Sequence, residues 1–245
     1  MKISITYIWA SSLLIEFEGA RILTDPWFAN NLRGLPCLKS PGMKLSDIGK
    51  IDYVFASHYH PDHFDKQAIK TLYSRNKNLK VIAPLGLKKQ AVFMNAENLA
   101  EMAEQDIFRF NSGMVEAVSA CHPGGELNYI ISINGKNIFF GGDTAFSAAF
   151  NKIASRDVKI DLALLPIGGT RILGRKIVMD PKDAFKAACI LKSEYLVPIH
   201  EGGIWLSVPP LSLHPGRAEH LLKLKGESDL LPKIVVLRNG ETFNL

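Results

Sequence analysis

The segment that most constrains this chain is His58-Tyr59-His60-Pro61-Asp62-His63, set directly behind the apolar run Ile51–Ser57, IDYVFAS. A short apolar run of that kind reads as a buried strand. His58 and His60 are two apart, so at an extended strand end they point the same way. Pro61 then turns the chain, and Asp62 and His63 face a second point a few ångströms from the first. Three imidazoles and a carboxylate this close together suit Zn, Mn, Fe or a similar divalent ion. The remaining candidates fall in matching places. His122 follows VEAVSAC and precedes Pro123-Gly124-Gly125; His200 follows YLVPI and precedes Glu201-Gly202-Gly203; Asp143 ends NIFFGG. Each sits at a strand end beside glycines, where a side chain can reach inward.

The rest of the chain supplies strands with intermittent helices. Residues 2–8, 12–18 and 20–24 read as strands, and 26–50 as a long irregular loop. Helices are predicted at 66–74, 85–93, 96–104, 145–153, 181–191 and 217–223. Further strands are predicted at 80–83, 106–110, 114–120, 128–134, 137–141, 161–166, 195–199 and 234–237. Asn134-Gly135 marks a tight hairpin, and Pro181 suits a first helical position. Strand clusters in both halves, each with flanking helices, point to two sheets packed face to face between helices. At 245 residues, 47% hydrophobic and 22% charged, the chain has the length for one sizeable core, and a disordered or fibrous class is excluded. We expect one domain over 1–245. Cys37, Cys121 and Cys189 cannot pair completely and form no CxxC, which excludes a disulfide scaffold and favours a reducing, cytoplasmic setting. The net charge of +5 is spread along the chain; it makes no demand for nucleic acid and suits an anionic small substrate. The N-terminal ISITYIWASSLLI is interrupted by serines and threonine and lacks an Ala-x-Ala site, so it reads as strands and not as a leader. No run of 18 apolar residues predicts a membrane span.

The ordered motifs LTDP at 23–26, SHYHPDH at 57–63, CH at 121–122, GGDT at 141–144 and PIH at 198–200 resemble those of the metallo-β-lactamase superfamily. The segments DLALLPIGG, VMDPKDAFKAA and YLVPIH are similar to a branch of small stand-alone metal-dependent hydrolases. That branch is related to ascorbate-6-phosphate lactonase and N-acylphosphatidylethanolamine phospholipase D. The resemblance implies an α/β fold, a four-layer αββα sandwich with a two-metal site on its edge. It assigns His58, His60 and His122 to one ion, Asp62, His63 and His200 to the other, and Asp143 to a bridge. It gives Asp25 the task of supporting the histidine loop from behind. Two divalent ions are implied, Zn or Mn first, with Fe or Ni as further options.

Two such cations can bind a water between them and lower its pKa toward neutrality. Asp62 can orient the resulting hydroxide or move its proton, so Asp62 and Asp143 are the catalytic candidates. The expected activity is hydrolysis of an ester-like bond, a lactone or a relative, in a small anionic substrate. The alternatives are a phosphodiesterase acting on nucleotides or phospholipids, and a metal-dependent binding protein without turnover. Seven candidate ligands without a Cys favour an open catalytic pair over a closed structural zinc. Arg171, Arg175 and Lys176 follow the strand DLALLPI and could hold a phosphate or carboxylate, although a solvated charged loop is the commoner outcome. Trp27, Phe28, Phe146, Ile204 and Trp205 are candidates for an apolar wall or for plain packing. His214, in PLSLHPGR, reads as an exposed loop histidine that could donate to a leaving group. Cys121 reads as a core residue facing away from the metals. Exposed strand edges are compatible with a homo-oligomer.

Overall fold

The computed structural model describes residues 2–32, 34–110, 113–156, 158–226 and 232–245. The chain opens with β1 (Ser4–Trp9), β2 (Ser12–Phe17) and β3 (Ala20–Thr24), then a two-residue ribbon of β4 (Asn31–Leu32) and β5 (Leu35–Pro36). It continues through β6 (Tyr53–Phe55), α1 (Lys66–Arg75), β7 (Lys80–Pro84), α2 (Leu87–Gln90) and β8 (Leu99–Met102). The second half holds β9 (Ile107–Phe110), β10 (Gly113–Ser119), β11 (Leu127–Ile133), β12 (Lys136–Phe140), α3 (Ala149–Ala154) and β13 (Leu162–Pro166). After the short β14 (Arg171–Ile172) and β15 (Arg175–Lys176) come α4 (Pro181–Ile190), β16 (Tyr195–Ile199), β17 (Ser212–Leu213), α5 (Ala218–Gly226), β18 (Lys233–Ile234) and β19 (Thr242–Asn244).

Two seven-stranded sheets carry the fold, in the orders β19-β1-β2-β3-β6-β7-β8 and β18-β16-β13-β12-β11-β10-β9. Their strand senses match. β1, β2 and β3 are antiparallel neighbours, and β6, β7 and β8 then add in parallel. In the second sheet β10, β11 and β12 are antiparallel, and β13, β16 and β18 add in parallel. The two halves thus repeat one topology with no repeat visible in the sequence. Asp25, just past β3, and Asp143, just past β12, occupy equivalent places.

Period-two alternation explains the layers. Ile5, Leu13, Ile15, Tyr129, Ile131, Leu162, Leu164, Val197 and Ile199 point between the sheets into one shared core. Ile8, Leu14, Val54 and Val81 point outward and pack on Ile69 and Leu72 of α1. Ile130, Ala163, Leu165 and Leu196 face Ala184, Ala187 and Ala188 of α4 and Leu221 of α5. This is the expected αββα order. Local signals hold the helices in place. Asp65 caps α1 by accepting the Ala68 N–H at 3.0 Å, and Asp180 and Asp183 form a reciprocal box around Pro181 at the start of α4, each satisfying an N–H the helix leaves unpaired.

The sequence misplaces the region after β7. The helix predicted over 85–93 shrinks to α2, and the one over 96–104 becomes a single 3-10 turn at Ala96–Asn98 leading into β8. The apolar residues there serve a strand edge: β8 pairs with β7 in parallel, and Met102 enters the inter-sheet core. Similarly, the helix predicted from 145 begins at Ala149. No helix among the described residues is long and apolar enough to cross a membrane.

Candidate metal centre

All seven ligand candidates meet at one end of the two sheets. They form two adjoining groups, His58 with His60 and His122, and Asp62 with His63, Asp143 and His200, with the ligand atoms of each group within 4.8 Å of one another. The first group comes from the loop after β6 and the turn between β10 and β11. The second adds the ends of β12 and β16. His200 and Asp25 both hold positive φ, 48° and 35°, a conformation that costs a residue with a Cβ and collects at functional sites. The fold fixes the first by a hydrogen bond from the His200 N–H to the Ala10 carbonyl at 2.8 Å.

Hydrogen bonds behind the imidazoles choose their tautomers. Asp25 is fully buried. Its Oδ1 accepts the Ser57 N–H at 2.6 Å, and its Oδ2 accepts the Ser57 hydroxyl at 2.7 Å and faces His63 Nδ1 at 2.6 Å. With its own proton given to Asp25, Ser57 Oγ accepts from His58 Nδ1 at 2.9 Å. His122 Nδ1 donates to the Ile177 carbonyl at 3.1 Å. The Nε2 lone pairs of these three rings are therefore left for the centre. The second group is tied by charge. Asp143 Oδ1 lies 2.9 Å from His200 Nε2, Asp143 Oδ2 lies 3.3 Å from His63 Nε2, and Asp62 Oδ2 lies 3.6 and 3.7 Å from the same two rings.

The donor set fits divalent ions. His122 Nε2 and His200 Nδ1 are buried without a hydrogen-bond partner among the described residues, while His63 Nε2, His200 Nε2 and Asp143 Oδ1 have only the ion pairs above, without hydrogen-bond geometry. Such orphaned atoms are rare unless something is meant to occupy the space between them. His58 Nε2 and His60 Nδ1 stand 2.8 Å apart; two lone pairs that close require a shared proton or cation. Protons fill this role when metal is absent. Burial alone lowers His63 and His200, but the carboxylates outweigh it: Asp143, Asp62 and Asp25 hold His63 well above the ordinary range, and Asp143 pushes His200 up to about 9. Burial raises Asp143, yet His200 and His63 hold it well below the ordinary range. Burial keeps His58 well below its usual value, helped by His63. A dication would displace these protons.

One residue of the centre escaped the sequence reading. Glu126 is buried, and its Oε1 accepts the Asp143 N–H at 2.6 Å. The same carboxyl lies 4.0 Å from His58 Nδ1 and 3.8 Å from His122 Nδ1. Burial, then the Asp143 charge, pushes it well above the carboxylate range. Gly142 makes room for it: a Cβ there would stand 2.1 Å from Glu126 Oε1 and 2.7 Å from Ser57 Cβ, at a φ of +42°. The signal was present in CHPGGE, where Glu126 lies four residues after His122.

The centre floors a cavity of about 360 Å³. Trp205 and His214 both line it, stacked at 5.5 Å and 14°. His214 is buried and its Nδ1 lies 3.1 Å from Thr170 Oγ1, so the predicted exposed loop histidine is corrected: the ring is clamped between Trp205 and Thr170. The 171–176 loop, for which the sequence leaves a solvated charged loop and an anion site open, keeps its charged side chains outside the cavity lining. Arg171, Arg175 and Lys176 stand on a small hairpin and none lines the cavity. Lys176 is held by Asp180 at 2.8 Å and Asp183 at 2.5 Å, and Arg171 reaches back to the Gly174 carbonyl. Cys121 is exposed, not a core residue, because β10 ends at Ser119 and the chain has already left the sheet. Trp27 stacks on Trp9 at 4.1 Å, Ile204 is buried in the same outer core, and Phe146 stacks on Phe150; these are packing residues, as is Phe28 beside them.

A four-layer αββα sandwich that gathers seven candidate His and Asp ligands at one sheet edge is a scaffold suited to a metal-dependent enzyme. Comparison with known proteins gives it a family. Residues 20–200 match the β-lactamase superfamily domain, and the chain belongs to the metallo-β-lactamase superfamily. It is 28% identical over 246 residues to a UPF0173 metal-dependent hydrolase of Korarchaeum cryptofilum, covering 99% of this chain and 100% of that one. It is 26% identical over 240 residues to N-acyl-phosphatidylethanolamine-hydrolyzing phospholipase D 1 of Caenorhabditis elegans, covering 86% of this chain and 67% of the relative. Among solved structures, Igni18, a novel metallo hydrolase from the hyperthermophilic archaeon Ignicoccus hospitalis, superposes with a TM-score of 0.75 at 24% identity, covering 100% and 99% of the two chains.

Proposed function

We propose that this metal-dependent hydrolase works as one domain around two divalent ions and cleaves an ester-like bond, a lactone, ester or amide, in a small molecule. The observation that carries the reading is the pair of adjoining ligand groups, with Asp143 reaching both His63 and His200. When bound, two Zn or Mn ions supply a nucleophilic water at neutral pH and polarise the scissile group. The chain does the rest. Asp25, Ser57 and Glu126 hold the imidazoles and Asp143 in place from behind. Asp62, whose Oδ2 stands between His63 and His200, is placed to orient the attacking water and carry its proton. His214, lowered by burial and by His200, is neutral at pH 7. A Thr170 hydroxyl donating to its Nδ1 leaves an Nε2–H to steady the leaving oxygen. Trp205 keeps that ring flat against the cavity wall.

The likeness to the phospholipase D relative favours a phosphodiester as the second reading. A purely binding role has less behind it, because seven intact ligands and an open cavity serve turnover. A cytoplasmic setting suits a chain with three cysteines and no CxxC. The test is turnover by Mn- or Zn-loaded protein on an aryl ester, a lactone and a bis-aryl phosphodiester, with His60→Ala as control. Ester or lactone cleavage lost in the control supports the first reading. Phosphodiester cleavage alone replaces it with the second, and no cleavage by fully loaded protein refutes both.

A further inference from the structure

The small sheet beside the metal centre turns one face to the cavity, and its register fixes which side chains stand there. Leu173 and Gly174, both at positive φ (47° and 80°), form the two-residue turn that joins β14 to β15. Ile172 pairs with Arg175, and Arg171 with Lys176; β17 adds Ser212 opposite Ile172 and Leu213 opposite Arg171. The Ile177 N–H donates to the Thr170 carbonyl at 2.9 Å, which carries the ladder one step further. Paired residues of an antiparallel ribbon share a face and successive ones alternate. Thr170, Ile172, Arg175 and Ile177 therefore stand on one face. Thr170, Ile172 and Ile177 line the cavity. His214, two residues past Ser212, lines it too and meets Thr170 across the strands at 3.1 Å. Arg175 continues this row outward.

The three cations of the hairpin are thus in different positions. Arg171 and Lys176 stand on the face turned away. Lys176 is held by Asp180 and Asp183, and Arg171 reaches the Gly174 carbonyl. The Arg175 side chain is exposed and makes neither a hydrogen bond nor an ion pair among the described residues. Ile172, directly across from it, lines the cavity and is still 41% exposed, so Ile172 marks the rim. Directly paired residues lie about 5 Å apart at Cβ, within reach of a long side chain. An unengaged guanidinium beside the rim offers a planar fork of donors that suits a carboxylate or a phosphate.

Resting on the hydrolase reading above, we propose that Arg175 is a specificity residue: it binds a carboxylate or phosphate at the end of the substrate remote from the bond that is cleaved. The metal centre takes the ester-like group, and Ile172 and Ile177 pack against the apolar stretch between the two ends. This narrows the anionic substrate expected from the net charge to one with a distal anion, and it separates Arg175 from its two neighbours on the hairpin. The ion pair is open to water, so it sets a preference of moderate size that salt weakens.

Hydroxamates test the assignment without turnover, since their head group binds divalent metals and only the far end varies. Isothermal calorimetry on Zn-loaded full-length protein of measured metal content would compare the monohydroxamates of succinate, adipate and suberate with butanoyl, hexanoyl and octanoyl hydroxamates. The 5-phosphonopentanoyl hydroxamate adds a phosphate-like end at the length of the adipate compound. At least one acid should bind about three- to tenfold tighter than its alkyl partner in low salt, and the carboxylate and phosphonate arms show which anion Arg175 prefers. Arg175→Ala should remove that advantage and leave the alkyl compounds unchanged, without lowering the melting temperature. Arg175→Glu should reverse it, and Arg171→Ala should preserve it. The proposal is overturned if no acid binds tighter than its alkyl partner, if the advantage survives in Arg175→Ala, or if Arg171→Ala abolishes it equally. Protein that shows the Arg175-dependent preference but cleaves no ester would refute the hydrolase reading alone. Protein that cleaves esters but binds acids and alkyl partners alike would refute this inference alone.

Discussion

Glu126→Gln separates what this carboxyl does for the fold from what it does for the metals. Its Oε1 accepts the Asp143 N–H at 2.6 Å, and a glutamine oxygen can do the same at the same volume. Without metal, burial and the Asp143 charge raise Glu126 well above the carboxylate range, which favours the protonated acid that glutamine imitates. Metal-free stability should therefore change by less than about 1 kcal/mol, the scale of a retained hydrogen bond. On the proposed function, a dication held by the adjoining imidazoles would favour the carboxylate, which faces Nδ1 of His58 and His122 at 4.0 and 3.8 Å. Glutamine cannot supply that charge. Loss of that charge beside the two imidazoles should weaken zinc binding measurably, by less than the roughly 10- to 100-fold that loss of a directly bonded partner costs. Glu126→Ala should behave differently. It orphans the buried Asp143 N–H, at about 1–3 kcal/mol, and leaves a void where the side chain packed, so about 2–5 kcal/mol of metal-free stability is lost. Urea unfolding of chelator-treated protein reads the first quantity, and zinc competition against a chromophoric chelator reads the second. The reasoning is refuted if Glu126→Gln binds zinc as wild type does, or if it destabilises the metal-free protein as much as Glu126→Ala.

Three other outcomes follow from the same geometry. Gly142→Ala should lower metal-free stability by about 2 kcal/mol or more, because its Cβ meets Glu126 Oε1 at 2.1 Å and its φ of +42° disfavours a side chain; denaturant midpoints measure it. In chelator-treated protein the His200–Asp143 pair raises His200 to about 9, above the unfolded value near 6.5. Its contribution, about 3 kcal/mol, is complete below pH 6.5 and fades as pH rises through 9. The stability difference between wild type and His200→Asn should shrink over that window, and a difference that grows with pH would contradict the assignment. Lys176→Ala removes a partly exposed ion pair with Asp180 and Asp183, costing at most about 1 kcal/mol; steady-state kinetics should show KM for a neutral ester unchanged, and a selective rise in KM for an anionic ester would restore Lys176 as a substrate contact.

The metal centre was legible because its chemistry is written in local patterns. HYHPDH, CH, GDT and PIH each put a candidate ligand just past an apolar strand, and strand ends of parallel neighbours converge at one edge. The layers were legible for the same reason, as in YLVPI and DLALLPI, whose alternate residues face the two cores. What the sequence hid depends on distant contacts. Residues 99–102 form a strand because β7 offers a parallel edge, which no window of sequence records. His214 is buried through Thr170, 44 residues away, and through Trp205. The basic hairpin left both a solvated loop and an anion site open, because Asp180 and Asp183, which engage Lys176, are placed by the cap of α4. Glu126 was hidden by its company: glycines on one side and an ordinary strand on the other gave no hint that its carboxyl turns back under His58.

The most direct test of the two-ion centre is metal content by elemental analysis, on wild type and on one ligand variant from each group. Zinc-saturated wild type should hold two ions per chain. His60→Ala and His200→Ala should each retain one, since the first group is His58, His60 and His122 and the second is Asp62, His63, Asp143 and His200. One ion in wild type, with both variants metal-free, would contradict the account and reduce the seven residues to a single site.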